Sequence, residues 1–285
     1  INLEMNYWPA EVAALPECHL ALLDWLHEVA VRGREVAREL YDMRGWTLHH
    51  NSDAWGFALP AGEGDADPCW SFWPLGAAWL CRHVWDHYDF GRDEARLAHD
   101  WPVVRGAAEF YLDWLVREQD GTWGTLPSTS PENKYLHAGQ ASALTRSSTS
   151  DLVLVRDLFE RSLDIMDVLD LSAPDDVALR SHDREKITGD GRLAEWVDDL
   201  EEAEPEHRHT SHLVAVYPLA RVAPHVDEDL AAAARATLDA RGPRSTGWAL
   251  AWRMGLRARL RDSEGAETAL RNFLAPLPPD TPDEP

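Results

Sequence analysis

The chain is short of cysteine, of phenylalanine and tyrosine, and of positive charge, and each shortage removes a class of protein. Three cysteines, Cys18, Cys69 and Cys81, are an odd number at spacings unlike a zinc-binding or disulfide framework, so they read as free thiols. Lys and Arg number 27 against 50 Asp and Glu, for a formal charge of -23. A field of that sign repels nucleic acid and anionic membranes and is compatible with a neutral, sugar-like ligand. No apolar run reaches the roughly 18 residues of a membrane-spanning helix. No charged segment followed by an apolar one marks a secretory signal, and a signal ahead of residue 1 stays open, as does the cellular location. No Gly-, Ser- or Pro-rich linker divides the 285 residues, which are read as one domain, 1–285.

Tryptophan is what the chain has in quantity, 14 against 6 Tyr and 6 Phe. Indoles fill cores, and their flat faces are also what pyranose rings stack on. Trp73, Trp79 and Trp85 are assigned to core packing, as is Trp252, with Trp248 the better candidate for an exposed rim.

Apolar residues recur at three and four over most of the chain. Leu20, Leu22, Leu23, Leu26 and Val29 predict a helix over 18–31 that Gly33 ends or turns, with a short one over 35–41. Further helices are expected over 74–88, 101–119, 151–170 capped by Thr149, 226–240 stopped by Gly242, 247–261 and 264–274, and Pro174 could start another. Residues 1–9 alternate in a period of two and predict an extended lead-in with Asn2, Glu4 and Asn6 on one face. Residues 46–64, rich in Gly, Pro, Asn and Asp, predict a long ordered loop, and such loops tend to be functional. No pair of adjacent alternating strands stands out, so the class is all-α. Helix pairs joined by irregular loops fit a toroid of paired helices, although fewer than twelve helices are counted.

Residues 121–135, GTWGTLPSTSPENKY, form the most constrained loop. Pro127 and Pro131 fix two φ angles, and Ser128, Thr129 and Ser130 offer local bonds to the backbone. The loop sets Glu132 beside Trp123 and Tyr135, where a carboxyl that loses water keeps its proton to higher pH, as a general acid must. Glu132 could equally cap backbone N–H groups in a surface loop. The histidines 207, 209 and 212 fit no familiar zinc spacing. They are open to three roles, metal binding, hydrogen bonding to sugar hydroxyls, or capping.

The motifs INLEMNYWPAE (1–11), WTLHHNSDAWG (46–56), WPLGAAWLCRHVWDHYDF (73–90), SPEN (130–133), GRLAEWVDDLEEAEPEHRHTSHL (191–213) and TGWALAW (246–252) occur in this order. Together they resemble glycoside hydrolase family 95, the α-L-fucosidase family. The resemblance implies an (α/α)6 toroid of the six-hairpin type and an inverting exo-glycosidase releasing terminal α-L-fucosyl or α-L-galactosyl residues from oligosaccharides. It implies no cofactor and no metal, a fucosylated glycan as substrate, and neither nucleic acid nor membrane as partner. It puts Glu132 in the acid role and Asn2 in place of the second of two water-holding asparagines. It lines the pocket with His49, Asp53, Trp55, Glu195, Trp196, His207, His209, His212 and Trp248. The family's activating aspartate belongs to a late motif that nothing here matches, and Asp280 and Asp283 are not given the role. Relative to the family the chain is expected to be truncated at both ends, and a non-catalytic remnant with at most weak sugar binding is the alternative. If another carboxylate were the base, Asp198, Asp199 and Asp53 are the first candidates.

Overall fold

The computed structural model describes residues 1–62, 64–172 and 185–276. The expectations at Pro174 to Asp176, Asp280 and Asp283 fall outside the described residues. The chain divides into two compact units, residues 1–186 with 194–204, and residues 187–193 with 205–285. Both are helical, as the all-α reading expects, and the helical content agrees with the six-hairpin class.

The first unit opens with α1 (Asn2–Tyr7) and α2 (Pro9–Val12), followed by α3 (Pro16–Tyr41), α4 (Pro68–Ser71), α5 (Gly76–Gly91) and α6 (Glu94–Trp114). Two short hairpins come next, β1 (Val116–Arg117) with β2 (Trp123–Gly124), and β3 (Tyr135–His137) with β4 (Gln140–Ser142), both antiparallel. The unit's last helix is α7 (Thr149–Val168). Helices α5, α6 and α7 pack on one another, and α3 lies against α5 and α6.

The lead-in is helical where an extended segment was expected. Met5 N–H donates to Ile1 and Trp8 N–H to Glu4, and the helical turn leaves Asn2 and Asn6 exposed while Glu4 is buried. Three repeats of an alternation are too few to separate period two from the i, i+4 pairing that holds here. Gly33 also departs from its expected role, since α3 runs through it for 26 residues. A Cβ there would meet Thr47 O at 2.6 Å and the Trp46 ring at 2.8 Å. The glycine is a seat for the passing segment 45–47, and Gly106 on α6 is its counterpart, a Cβ there lying 2.9 Å from the same indole. Trp46 is fully buried, with Nε1 donating to Val103 O at 2.7 Å. This wedge between α3 and α6 delivers the loop that follows, 48–62, onto the face where the SPEN loop lies.

Helix α6 starts earlier than the apolar period suggests because Asp93 caps it, accepting from Arg96 N–H at 3.0 Å. At α7 the cap is Ser148, which accepts from Asp151 N–H at 3.2 Å, and Thr149 is the first helical residue. Trp73 and Trp79 are buried, as the packing assignment has it.

The second unit carries the turn Thr188–Gly191, a 3₁₀ segment Ser211–Ala215, and helices α8 (Glu228–Ala240), α9 (Gly247–Arg259) and α10 (Ser263–Leu274). Helices α9 and α10 pack on one another across a short connection. Alanines 231, 233 and 234 with Leu238 give α8 a buried face, and Asp227 caps it. Trp252 is buried and donates to Tyr217 O at 3.0 Å. Among the described residues no helix is long and apolar enough to cross a membrane.

Candidate active site

Glu132 sits at the surface end of a loop whose underside is bonded throughout. Ser128, Thr129, Ser130 and Asn133 are all buried. Ser128 pairs antiparallel with Thr145 through two backbone bonds of 2.8 and 2.9 Å. Thr129 Oγ1 donates to Phe72 O at 2.8 Å.

Two buried carboxylates hold the loop from below. Asp151, on the first turn of α7, is wholly enclosed and accepts from Ser128 Oγ at 2.7 Å, Trp73 Nε1 at 3.1 Å and Thr125 Oγ1 at 3.2 Å. Burial pushes its carboxyl up to about 6, against the lowering effect of those donors. Glu195 is the second, with Oε1 accepting from Ser130 Oγ at 2.8 Å and Oε2 from Asn133 Nδ2 at 2.9 Å. Asn133 Nδ2 also reaches Glu202 Oε2 at 3.1 Å, and Asn133 Oδ1 accepts from Lys134 N–H at 2.9 Å. In the SPEN motif, therefore, Ser130 and Asn133 point inward to Glu195, and the glutamate between them is left at the surface.

The Glu132 side chain is 20% exposed and its Oε1 lies 3.3 Å from His50 Nε2. His50 is itself only 12% exposed, its ring edge-on to Trp73 at 6.3 Å. Nearby, Lys134 pairs with Asp67 and lies over the Trp70 ring at 5.4 Å. Burial would raise the Asp67 carboxyl, but the Lys134 ammonium and the Cys69 N–H hold it below its ordinary value. Cys69 is buried, and its thiol is pushed up to about 12 by burial, then by Asp67, with Glu132 adding to the effect. It is a packing residue and no nucleophile.

The other residues singled out from the sequence take varied positions. His49 is buried at 1% exposure, its Nδ1 accepting from Trp73 N–H at 3.2 Å and its Nε2 bonded to Tyr41 Oη at 2.8 Å. Burial first and His50 second lower it to about 3, so it is a neutral strut. Asp53 closes a turn, its Oδ1 accepting from Trp55 N–H and Phe57 N–H. Trp55 is 84% exposed. Asp53 and Trp55 border a groove of about 520 Å³ against Arg32, Glu35 and Glu39 of α3, which includes neither Glu132 nor His50. Trp196 is 2% exposed and edge-on to Tyr135 at 5.7 Å. Asn2 is exposed on α1. Of the alternative bases, Asp198 gives both oxygens to Arg146 at 2.8 and 3.0 Å, which holds its carboxyl low, and Asp199 is exposed.

His207, His209, His212 and Trp248 belong to the second unit and form a group there. His207 Nδ1 accepts from His209 N–H at 3.1 Å, which puts its proton on Nε2 when the ring is neutral. The His209 ring lies edge-on to Trp248 at 4.6 Å. His212 is buried at 1% in the 3₁₀ segment. Under the group runs Arg253, buried at 4%, donating to Gly242 O at 3.0 Å, Arg244 O at 3.2 Å and His207 O at 3.4 Å. Burial, with Arg241 and Arg257 close by, lowers it to about 10. No group of three or more metal-ligand side chains forms at 207–212 among the described residues.

Sequence reasoning missed His50, Asp151 and Arg253. His50 is the neighbour of the histidine chosen, and only the wedge at Trp46 decides which of the two faces inward. Asp151 looks like an ordinary first-turn acid, and Arg253 like one more cation on a helix.

A helical domain presenting one half-buried carboxylic acid on a rigid loop, with aromatic and imidazole groups about it, has the form of a glycosidase catalytic domain. The sequence profile described as the glycosyl hydrolase family 95 catalytic domain matches residues 1–282, and the chain belongs to that family. "Alpha-L-fucosidase 2" of Arabidopsis thaliana is 36% identical over 273 residues, covering 93% of this chain and 32% of the plant protein. Two proteins named "Probable alpha-fucosidase A", from Aspergillus niger and Aspergillus oryzae, are 29% and 25% identical over 95% of this chain, and 35% and 30% of their own lengths. The chain thus spans about a third of the length of the curated relatives it matches.

Proposed function

We propose that the chain supplies the proton-donating part of an inverting exo-glycosidase that releases terminal α-L-fucosyl, or the related α-L-galactosyl, groups from oligosaccharides, and that both units belong to one catalytic domain. The observation that carries this is Glu132, one-fifth exposed on a loop bonded from below by Asp151 and Glu195, with His50 against its outer oxygen. Hydrolysis with inversion needs an acid on the leaving oxygen and a water driven in from the opposite face of the ring. Glu132 is the acid. Asn2 holds the water, in the role the family gives that asparagine, and its place outside the α1 packing face leaves its amide for a ligand. Exposed Trp55 in the first unit and Trp248 in the second keep the sugar-contacting roles the family gives them, and His207 and His209, both buried, support Trp248 from within the second unit. The names of the three relatives support fucose as the sugar.

Glu195, Trp196 and His49 contribute by shape. Each is buried and bonded or packed inside the protein, so each acts on substrate through the loop it holds.

The test is stereochemical. Proton nuclear magnetic resonance of the full-length polypeptide acting on a fucosylated oligosaccharide should show β-L-fucose first, before mutarotation. Initial release of the α-anomer would overturn the inverting mechanism, and failure to release fucose at all would overturn the activity.

A further inference from the structure

Away from the Glu132 loop, three elements bring metal-ligand side chains together. Glu11 of α2 lies between His19 of α3 and His87 of α5, its Oε1 at 2.7 Å from His19 Nδ1 and 2.6 Å from His87 Nδ1. The three ligand atoms all lie within 4.8 Å of one another. Behind His19, its Nε2 is 2.8 Å from Nδ1 of His83, one helical turn before His87 on α5. Tyr7 stacks on the far side of His19, ring centres 5.9 Å apart.

We propose that Glu11, His19 and His87 form a binding site for a zinc-like divalent transition-metal ion that pins α2 to α3 and α5. Two imidazole nitrogens and one carboxylate oxygen are a donor set that zinc accepts at about 2.0–2.2 Å, leaving a fourth position for water. With bonds of that length, tetrahedral ligand atoms stand roughly 3.3 Å apart. The two N···O distances therefore open by well under 1 Å when the ion takes the place of two hydrogen-bonding protons. For rings that each carry one proton, none need leave the protein. His19 and His87 each move the proton from Nδ1 to Nε2, freeing the Nδ1 lone pairs for the ion. His19 Nε2–H then donates to His83 Nδ1, and His83 carries its proton on Nε2. An imidazole ligand whose second nitrogen is held by a buried acceptor is the usual outer shell of such sites. Entry is from the His87 side, where the side chain is 13% exposed against 2% for His19.

The consequence is mechanical. Helix α2 has four residues, too few to be stable by itself, and it joins α1, the bearer of Asn2, to the rest of the unit. An ion at Glu11 fixes that joint.

Chelator-stripped protein titrated with Co²⁺ should take up one equivalent at this site, with visible ligand-field absorption of a four- or five-coordinate ion. X-ray absorption of the loaded protein should show two imidazoles, and the melting temperature should rise. His87→Gln should abolish the absorption, and His83→Phe should weaken affinity roughly 10- to 100-fold. His99→Gln, in the separate His27, His99 and Asp100 group, should change nothing. The proposal is overturned by absence of cobalt uptake in the wild type, by a spectrum with fewer than two imidazoles, or by undiminished uptake in folded His87→Gln. Because no readout is catalytic, these outcomes are independent of whether the fucosidase reading stands.

Discussion

Asp151→Asn probes the floor of the site. The carboxyl is enclosed, and raising it from 3.8 to about 6 means that the native state binds its proton more tightly than the unfolded chain does. With the folded value above the unfolded one in an acid, the native state is favoured at low pH, and this contribution disappears as pH rises toward and past 6. Between pH 5 and pH 7 the group alone should cost the native state about 1.3 kcal/mol. Asparagine does not titrate, so the variant lacks that slope. It also turns an NH₂ toward hydroxyls that now donate, and Ser128 Oγ already accepts from Ser148 N–H at 2.8 Å. Leaving such buried groups mismatched costs about 1–3 kcal/mol. Urea denaturation of both proteins at pH 5, 6 and 7 measures this. Wild type minus variant should be largest at pH 5 and shrink by about 1.3 kcal/mol at pH 7. A difference that does not vary with pH would refute the account of Asp151 as a carboxyl raised by burial.

Three further outcomes are expected. Glu195→Ala strips acceptors from Ser130 and Asn133, so it should lower stability by about 1–3 kcal/mol and reduce kcat more than it raises KM, read from thermal melts and steady-state kinetics. Gly33→Ala, which would raise intrinsic helix propensity, should instead destabilise by roughly 1–3 kcal/mol because Thr47 O and the Trp46 ring occupy the space, and a circular dichroism melt checks the sign. Arg253→Met leaves the carbonyls of Gly242, Arg244 and His207 without their donor, so stability should fall by about 1–3 kcal/mol and sugar affinity with it, whereas loss of neither would remove Arg253 as support for the histidine group.

The helices were legible because their apolar stripes are long, and the loop at 121–135 because proline and hydroxyl residues leave few alternatives. Where local pattern and tertiary packing disagreed, packing prevailed. Gly33 carries the signal of a helix end, yet what it answers is an indole 2.8 Å from its missing Cβ. Asn2, Glu4 and Asn6 alternate like a strand in a segment that folds as a helix, since i, i+4 bonding satisfies its backbone without a partner strand. Glu132 was found through its motif, but its setting was not. That Asp151 and Glu195 lie beneath the loop depends on contacts spanning 23 and 65 residues, which no local pattern encodes. His49 and His50 are adjacent and chemically equal, and only the fold makes one a strut and the other a neighbour of the acid.

The central claim is that Glu132 delivers a proton to the departing oxygen. Its most direct test compares Glu132→Gln with the wild-type full-length polypeptide on two fucosides, a dinitrophenyl fucoside whose leaving group needs no proton and a fucosylated oligosaccharide whose leaving alcohol does. Glutamine preserves the shape of the side chain and a contact to His50 but cannot act as an acid. The account predicts that kcat/KM falls about 10²- to 10⁴-fold on the oligosaccharide and hardly changes on the dinitrophenyl fucoside. Equal losses on both substrates, or none on the oligosaccharide, would contradict it.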